Sequence, residues 1–405
     1  MIVEIKGVEF GNSGAHLMLL AIADSLGKRW PAVQFALCRN ENTSTEKIAS
    51  LSALRKLNFR KNCLDLNTVS YRLPEIVRRR LRDAGWVTEA DVDMIVDASG
   101  FSYSDQWPSK LRIRHLHNEL QRFAKYGKPY VFLPQAFGPF SDADTCANIA
   151  RSFPLAAMIC AREIQSHIYI EEVTGALPNL FEYGDFTNLM DGVIPETTTL
   201  ATRAACIVPN YNMMDARNSN TAWLNTYENL LLTAIDYYRE LGLTPFFLNQ
   251  GGAPDNVVIT RLNRQLEKRA QRPLEVVQDN NPLITKGIIG ASSAVLCSRY
   301  HGCIAALSNG IACIGTSWSH KYDVLYSQYD ASELLLSPKM SVKECRRIID
   351  VSLDRNAPVQ TRVAEQAMIQ KDSTNAMWAK FYTIVSSYMP PSSSDSKTHS
   401  EHTNR

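Results

Sequence analysis

The densest group of residues able to do chemistry is Arg299-Tyr300-His301-Gly302, which follows a strand-like run from Ala294 to Ser298. Arg299 and His301 stand two apart, so both project to one side for as long as the chain stays extended. A planar guanidinium matches a carboxylate or phosphate, and an imidazole exchanges protons near neutral pH. Gly302 would let the backbone at the start of a following helix approach a ligand closely. Together these residues suit a small anion that undergoes proton transfer; they equally suit an arginine lying along a strand end beside a capping histidine. Lys321 follows another short strand, Ala312 to Gly315, after a Ser/Trp/His loop. If the two strands are neighbours, it adds a point charge for a phosphate; otherwise it is a solvated loop lysine.

Two other strand ends carry polar residues. Gly11-Asn12-Ser13-Gly14 opens a helix, where Asn12 and Gly14 could present amides to an anion or a sugar hydroxyl. The same four residues also make a tight turn with Asn12 or Ser13 as helix cap. Arg162 ends the run Ala157-Met158-Ile159-Cys160-Ala161 and has Glu163 and Asp185 as candidate partners. Trp318, Tyr300 and Tyr322 could stack on a sugar ring or simply pack. His115 and His117 are two apart on a predicted helix and share no face, a poor metal pair. Nine cysteines occur without a CxxC, and no GxGxxG, HExxH, GxSxG or P-loop is present. No metal is expected.

The elements that must position these residues alternate. Apolar runs of about four residues (2–5, 34–37, 94–97, 130–133, 157–160, 180–183) are separated by helix-like segments at 14–27, 109–126, 142–152 and 163–173. Continuous apolar strands with long crossovers specify a parallel sheet covered on both faces. The pattern lapses over 186–202 and resumes with strands at 205–208, 245–248, 274–277, 294–297 and 312–315 around helices at 221–240, 255–270 and 302–309. The fold class is therefore α/β, with two doubly wound Rossmann-like domains facing a cleft. The domains are 1–188 and 203–340; helices over 341–389 pack back on the body, and the Ser/Pro-rich 390–405 forms a disordered tail.

Composition excludes several classes. The 405 residues carry 43 Lys+Arg against 41 Asp+Glu, which argues against a nucleic-acid groove. The longest apolar stretch, Leu17 to Ala23, is far short of a membrane span, which leaves peripheral association open. The start, Met1 to Lys6, reads as a strand rather than a leader. Scattered cysteines in apolar runs suit reduced thiols, hence a cytoplasmic location.

Taken in order, several of these segments resemble the polysaccharide pyruvyl transferase family. Ser298 to Ala312 followed by Lys321 resembles its C-terminal signature, and Leu133-Pro134-Gln135-Ala136-Phe137-Gly138-Pro139-Phe140 its central motif. Ala161-Arg162-Glu163 with Ser166, then Asp185, and Gly11-Asn12 with Gly14 complete the series over about residues 10–325. The sequence departs from the family where Asp185 lacks a following proline and Gly100 stands without a second glycine. The resemblance implies a fold like the B-type (GT-B) glycosyltransferases. It also implies transfer of pyruvate from phosphoenolpyruvate onto two hydroxyls of a saccharide, free or lipid-linked, as a ketal in polysaccharide biosynthesis. On that reading His301 is the acid–base, Arg299, Arg162, Lys321 and the amides after Gly302 hold the donor, and Asp105 and Gln135 contact the acceptor. No cofactor is needed. Two alternatives remain: a glycosyltransferase using a nucleotide sugar, and a non-catalytic member of a polysaccharide-assembly complex.

Overall fold

In the computed structural model the described residues are 1–389, apart from 41–42, 63, 106–109, 197, 199, 216–217, 219 and the side chains of 110–111. The expected tail, 390–405, lies outside them. The first half contains strands β1 (Ile2–Lys6), β2 (Gln34–Cys38), β3 (Leu54–Lys56), β4 (Arg60–Lys61), β5 (Leu64–Asp65), β6 (Trp86–Val87), β7 (Met94–Asp97), β8 (Tyr130–Gln135), β9 (Met158–Ala161) and β10 (Leu180–Glu182). The second half contains β11 (Ala204–Val208), β12 (Thr244–Leu248), β13 (Val276–Val277), β14 (Ala294–Cys297), β15 (Ile314–Thr316) and β16 (Leu335–Leu336).

Two parallel sheets result, ordered β10-β9-β8-β7-β1-β2-β3-β6 and β13-β12-β11-β14-β15-β16. The order reverses between β1 and β7 in the first and between β11 and β14 in the second. Such switch points open a crevice at the carboxyl ends of the strands, where ligands bind. Gly7 to Gly14 and Ser99 to Phe101 leave the first crevice, and Asn210 and Arg299 leave the second.

Apolar strands shut away on both faces hold each lobe together: every residue of β7, β8, β9, β11 and β14 is buried. The two cores are joined by one helix, Pro358–Ser386, whose early residues Val359, Val363 and Ala367 pack into the second lobe. Its later Met377, Trp378, Phe381 and Val385 pack into the first. The helix thus packs against both lobes. Among the described residues no helix is long and apolar enough to cross a membrane.

Two local expectations change. The helix read at 302–309 starts earlier and spans Tyr300–Leu307, so Arg299 is its extended N-cap and His301 sits in its first turn. Both line the cleft, but from the start of a helix and not through strand alternation. Residues 54–87, which show no apolar period, form β3 and the edge strand β6 at one end of the first sheet, the antiparallel hairpin β4/β5 and short helices. Strands of two or three residues rich in Arg and Lys leave no periodic signal to read.

Candidate active site

The C-terminal lobe supplies a locked guanidinium. Arg299 donates from Nε to Asp255 Oδ2 at 2.8 Å and from Nη2 to Oδ1 at 2.5 Å, a two-point grip that fixes the plane of the group. Asp255, fully buried in the first turn of helix Ala253–Lys268, also accepts from the Tyr211 amide at 3.0 Å. A Cβ on Gly251 would lie 1.9 Å from Arg299 Nη2, so only glycine leaves room for the pair. About 21% of the Arg299 side chain stays open to the cleft.

His301 sits where the lobes touch. A Cβ on Gly14 would come within 2.1 Å of its Nδ1, so the glycine at the start of helix Ser13–Arg29 forms a seat for the ring. Asn12 caps that helix by accepting from the Gly14 and Ala15 amides at 2.9 and 3.3 Å, which fixes the seat. On its other side, Nε2 lies 3.8 Å from Asp185 Oδ2, sealed from solvent and without a hydrogen bond, while 21% of the side chain faces the cleft. Burial pushes the His301 pKa down to about 4; Asp185 pulls upward, and Arg162, Lys321 and Lys286 push further down. The resting ring is neutral at pH 7. It is therefore a base, not the acid poised near neutrality that its sequence position alone invites.

Asp185 couples the lobes. Burial raises its pKa, but His301, Arg162 and two hydrogen bonds from Thr187 (2.9 and 2.6 Å) outweigh that and hold it low. Arg162, only 3% exposed, reaches Asp185 from Nη1 at 3.4 Å and Glu163 from Nε at 3.9 Å, the Nε making no hydrogen bond. Its guanidinium lies 4.5 Å from the centre of the Tyr300 ring, and Lys321 Nζ lies 5.1 Å from it, so two cations flank one aromatic side chain. Lys321 begins helix Lys321–Gln328 and also lies over Trp318 at 4.6 Å. Burial, with Arg162 and Arg299 adding to it, lowers its pKa to about 7. Among the described residues it has no ion pair.

These groups line a cleft of about 470 Å³ with Gly7, Asn12, Gly14, Ser99 to Ser102, Asn210, Gln250 and Trp318. Arg299, His301, Arg162, Lys321, Asn12 and Gly14 are thereby brought together. Three expected contacts are not. Gln135 is fully buried beneath the cleft and donates to the Asp97 carbonyl at 3.2 Å. Asp105 accepts from the Ser141 amide at 2.8 Å, away from the lining. Gly302 faces inward, where a Cβ would strike Cys297 Sγ at 2.5 Å and Gln250 Oε1 at 2.6 Å, so it serves packing rather than ligand approach. Trp318 and Tyr322 hydrogen-bond each other at 3.0 Å, and Tyr322 is buried. Among the described residues no group of three or more His, Cys, Asp or Glu could hold a metal ion.

The family model for polysaccharide pyruvyl transferase matches residues 12–320, from the Asn12 cap to the residue before Lys321. The chain belongs to the polysaccharide pyruvyl transferase family. The match spans both lobes of the cleft. No curated protein matches the sequence. Among solved structures, UDP-GlcNAc 2-epimerase from Methanocaldococcus jannaschii aligns over 94% of this chain and 99% of its own, with TM-score 0.54 and 8% identity. Staphylococcus aureus MnaA with UDP aligns over 96% and 98%, with TM-score 0.55 and 8% identity. The Neisseria meningitidis UDP-GlcNAc 2-epimerase gives 0.53 at 8% identity, over 94% and 99%. At such identity the likeness is one of fold, and that fold is of the GT-B type.

In this pyruvyl transferase family member, four residues at or behind the cleft escape a sequence reading. Asp255 looks like an ordinary helix-start acid, and Arg112 like one more cation of a basic helix, although it lines the cleft and donates to the Ser102 carbonyl at 3.2 Å. Asn210 at the end of β11 donates to the Ser298 carbonyl at 2.8 Å and would have been found by inspecting that strand end. Lys286 is 1% exposed and donates to the Thr187 carbonyl of the other lobe at 3.0 Å; nothing in its local sequence marks it.

Proposed function

We propose that the protein transfers the pyruvyl group of phosphoenolpyruvate to two hydroxyls of a saccharide, forming a cyclic ketal, in polysaccharide biosynthesis. The observation that carries this is the convergence of Arg299, Arg162 and Lys321 with a neutral His301 on one cleft. Phosphoenolpyruvate brings a carboxylate and a phosphate, about three negative charges, so it needs several cations gathered on one cleft. The cleft offers one locked guanidinium, one partly paired guanidinium and one unpaired ammonium.

The reaction adds a proton to the C3 methylene, making C2 an oxocarbenium carbon. One hydroxyl attacks C2 and loses its proton, the C2–O bond to phosphate breaks, and the second hydroxyl closes the ring. Of the two protons leaving the hydroxyls, one balances the proton gained at C3 and the other leaves on phosphate. Two groups with separated pKa values divide the proton traffic. Neutral His301 accepts from the attacking hydroxyl, and Lys321, half protonated near pH 7, is suited to deliver to C3. Donor binding raises both pKa values by placing negative charge beside them. We expect the saccharide to enter along the first lobe's Ser99 to Ser102 loop.

The test is phosphate release from phosphoenolpyruvate in the presence of candidate saccharides. Arg299→Ala and His301→Ala should each lose at least ~100-fold. Full activity in either variant removes that residue from its role. Thermal stabilisation by phosphoenolpyruvate but not by UDP-sugars separates this reading from nucleotide-sugar transfer. Donor binding without phosphate release would instead favour a non-catalytic role.

A further inference from the structure

Residues 57–85, inserted between β3 and β6, hold seven Lys/Arg against three Asp/Glu, whereas the whole chain holds 43 against 41. Away from this insert the chain is net acidic. The insert also exposes large apolar side chains: Phe59, Leu64, Leu66, Val69, Ile76 and Val77 are each 40–61% exposed. Helix Glu75–Asp83 buries no residue at all. Its inward side is charged, with Arg78 and Arg82 both bound to Asp91 and Glu75. Its outward side carries Ile76, Val77, Arg79 and Arg80, an inversion of the usual surface helix.

This exposure is held in place. Hairpin β4/β5 is clamped to helix Lys110–Lys125 by Arg60 to Glu119 at 2.9 Å and by Arg122 to Asp65 at 3.1 Å. Val69 and Leu66 belong to turns closed by backbone hydrogen bonds. Among the described residues Lys61, Arg72, Arg79 and Arg80 have no ion pair, so their charge is available. The insert leaves β3 at its carboxyl end, the end of the sheet from which Gly7 and Ser99 reach the cleft.

We infer that this insert docks the protein on an anionic lipid bilayer, apolar side chains entering the headgroup layer and arginines meeting lipid phosphates. Exposed apolar residues interleaved with free cations are what an interfacial surface requires. A second copy of the chain is a poor occupant, because two basic patches would face each other. If the proposed reaction is also right, the bilayer presents the saccharide on a lipid carrier beside the cleft. The docking itself does not rest on that reading.

Co-sedimentation of the full chain with phosphatidylcholine vesicles, with and without phosphatidylglycerol, tests it without any turnover. Binding should favour the anionic vesicles and weaken as salt rises. Arg79→Glu with Arg80→Glu should lower the partition coefficient at least ~25-fold, at about fivefold per basic residue removed. Ile76→Ser with Val77→Ser should lower it about tenfold while unfolding at the same temperature as the parent. Equal partition to both vesicle types, or unchanged binding by either folded variant, overturns the inference. So does a concentration-dependent dimer in light scattering that the same substitutions dissolve. Failure here leaves phosphate release on a soluble saccharide unaffected, and failure of that reaction leaves vesicle binding unaffected.

Discussion

Two sets of buried charges in this molecule behave in opposite ways. In the N-terminal lobe, Glu4, Lys6, Lys56, Arg60, Glu89, Glu119 and Arg122 form a closed network. Glu119 takes Lys6 at 2.5 Å, Arg60 at 2.9 Å and Lys56 at 3.5 Å, and Arg122 grips Glu89 at 2.5 and 2.9 Å. Burial alone would raise the Glu119 pKa, yet its three cations drive it well below the usual carboxylate range. Lys56 is correspondingly raised despite its burial. At the cleft the sign reverses: burial lowers His301 to about 4, Lys321 to about 7 and Lys286 to about 8. Matched charges hold a fold together; unmatched ones mark where an anion is expected.

The comparison breaks if the network proves dispensable. Glu119→Gln strands three cations in the first lobe and should cost about 3–5 kcal/mol in urea unfolding. A variant as stable as the parent would show that the network is not what secures that lobe. At the cleft the cost should fall on turnover instead. Gly14→Ala places a methyl group where the His301 ring lies, so kcat/KM for phosphate release should fall at least ~10-fold with little change in unfolding temperature. Unaltered turnover would mean that the ring does not need its seat.

The smallest expected effect is in the pH dependence of stability. Lys321 and Lys286 bind protons more weakly when folded, so from about pH 7 to the unfolded value near 10.5 the unfolded chain holds more protons and stability rises with pH. His301 acts the same way at lower pH, losing stability as pH falls from 6.5 towards 4. Lys321→Met should flatten the rise between pH 7 and 9, a difference of about 1 kcal/mol readable as a few degrees in unfolding temperature. An unchanged slope would place the cleft's protonation elsewhere. The paired network contributes nothing in that window, because Lys56 stays charged through it.

The two regions also differed in how much of them could be read from sequence. Arg299, His301 and Lys321 follow strands whose apolar runs are unmistakable, and strand ends of a parallel sheet are where ligands go. Arg162 was legible for the same reason. Gln135 misled, since a strand-end glutamine can turn under the sheet as readily as above it. Asp255 and Lys286 were not legible because their meaning lies in partners 44 and 99 residues away. The network of the first lobe was likewise hidden, since Lys56 and Arg60 sit in strands too short to carry a period, and Glu119 on a helix that looks solvated.

The most direct test of the central claim is calorimetric titration of phosphoenolpyruvate into the protein at pH 8, in two buffers of different ionisation enthalpy. If Lys321 stands largely deprotonated in the empty cleft and closes on the donor as an ammonium, binding takes up close to one proton. The Lys321→Met variant should then bind more weakly and take up little. Tight binding with no proton uptake by the parent, or the same uptake by the variant, would contradict the account.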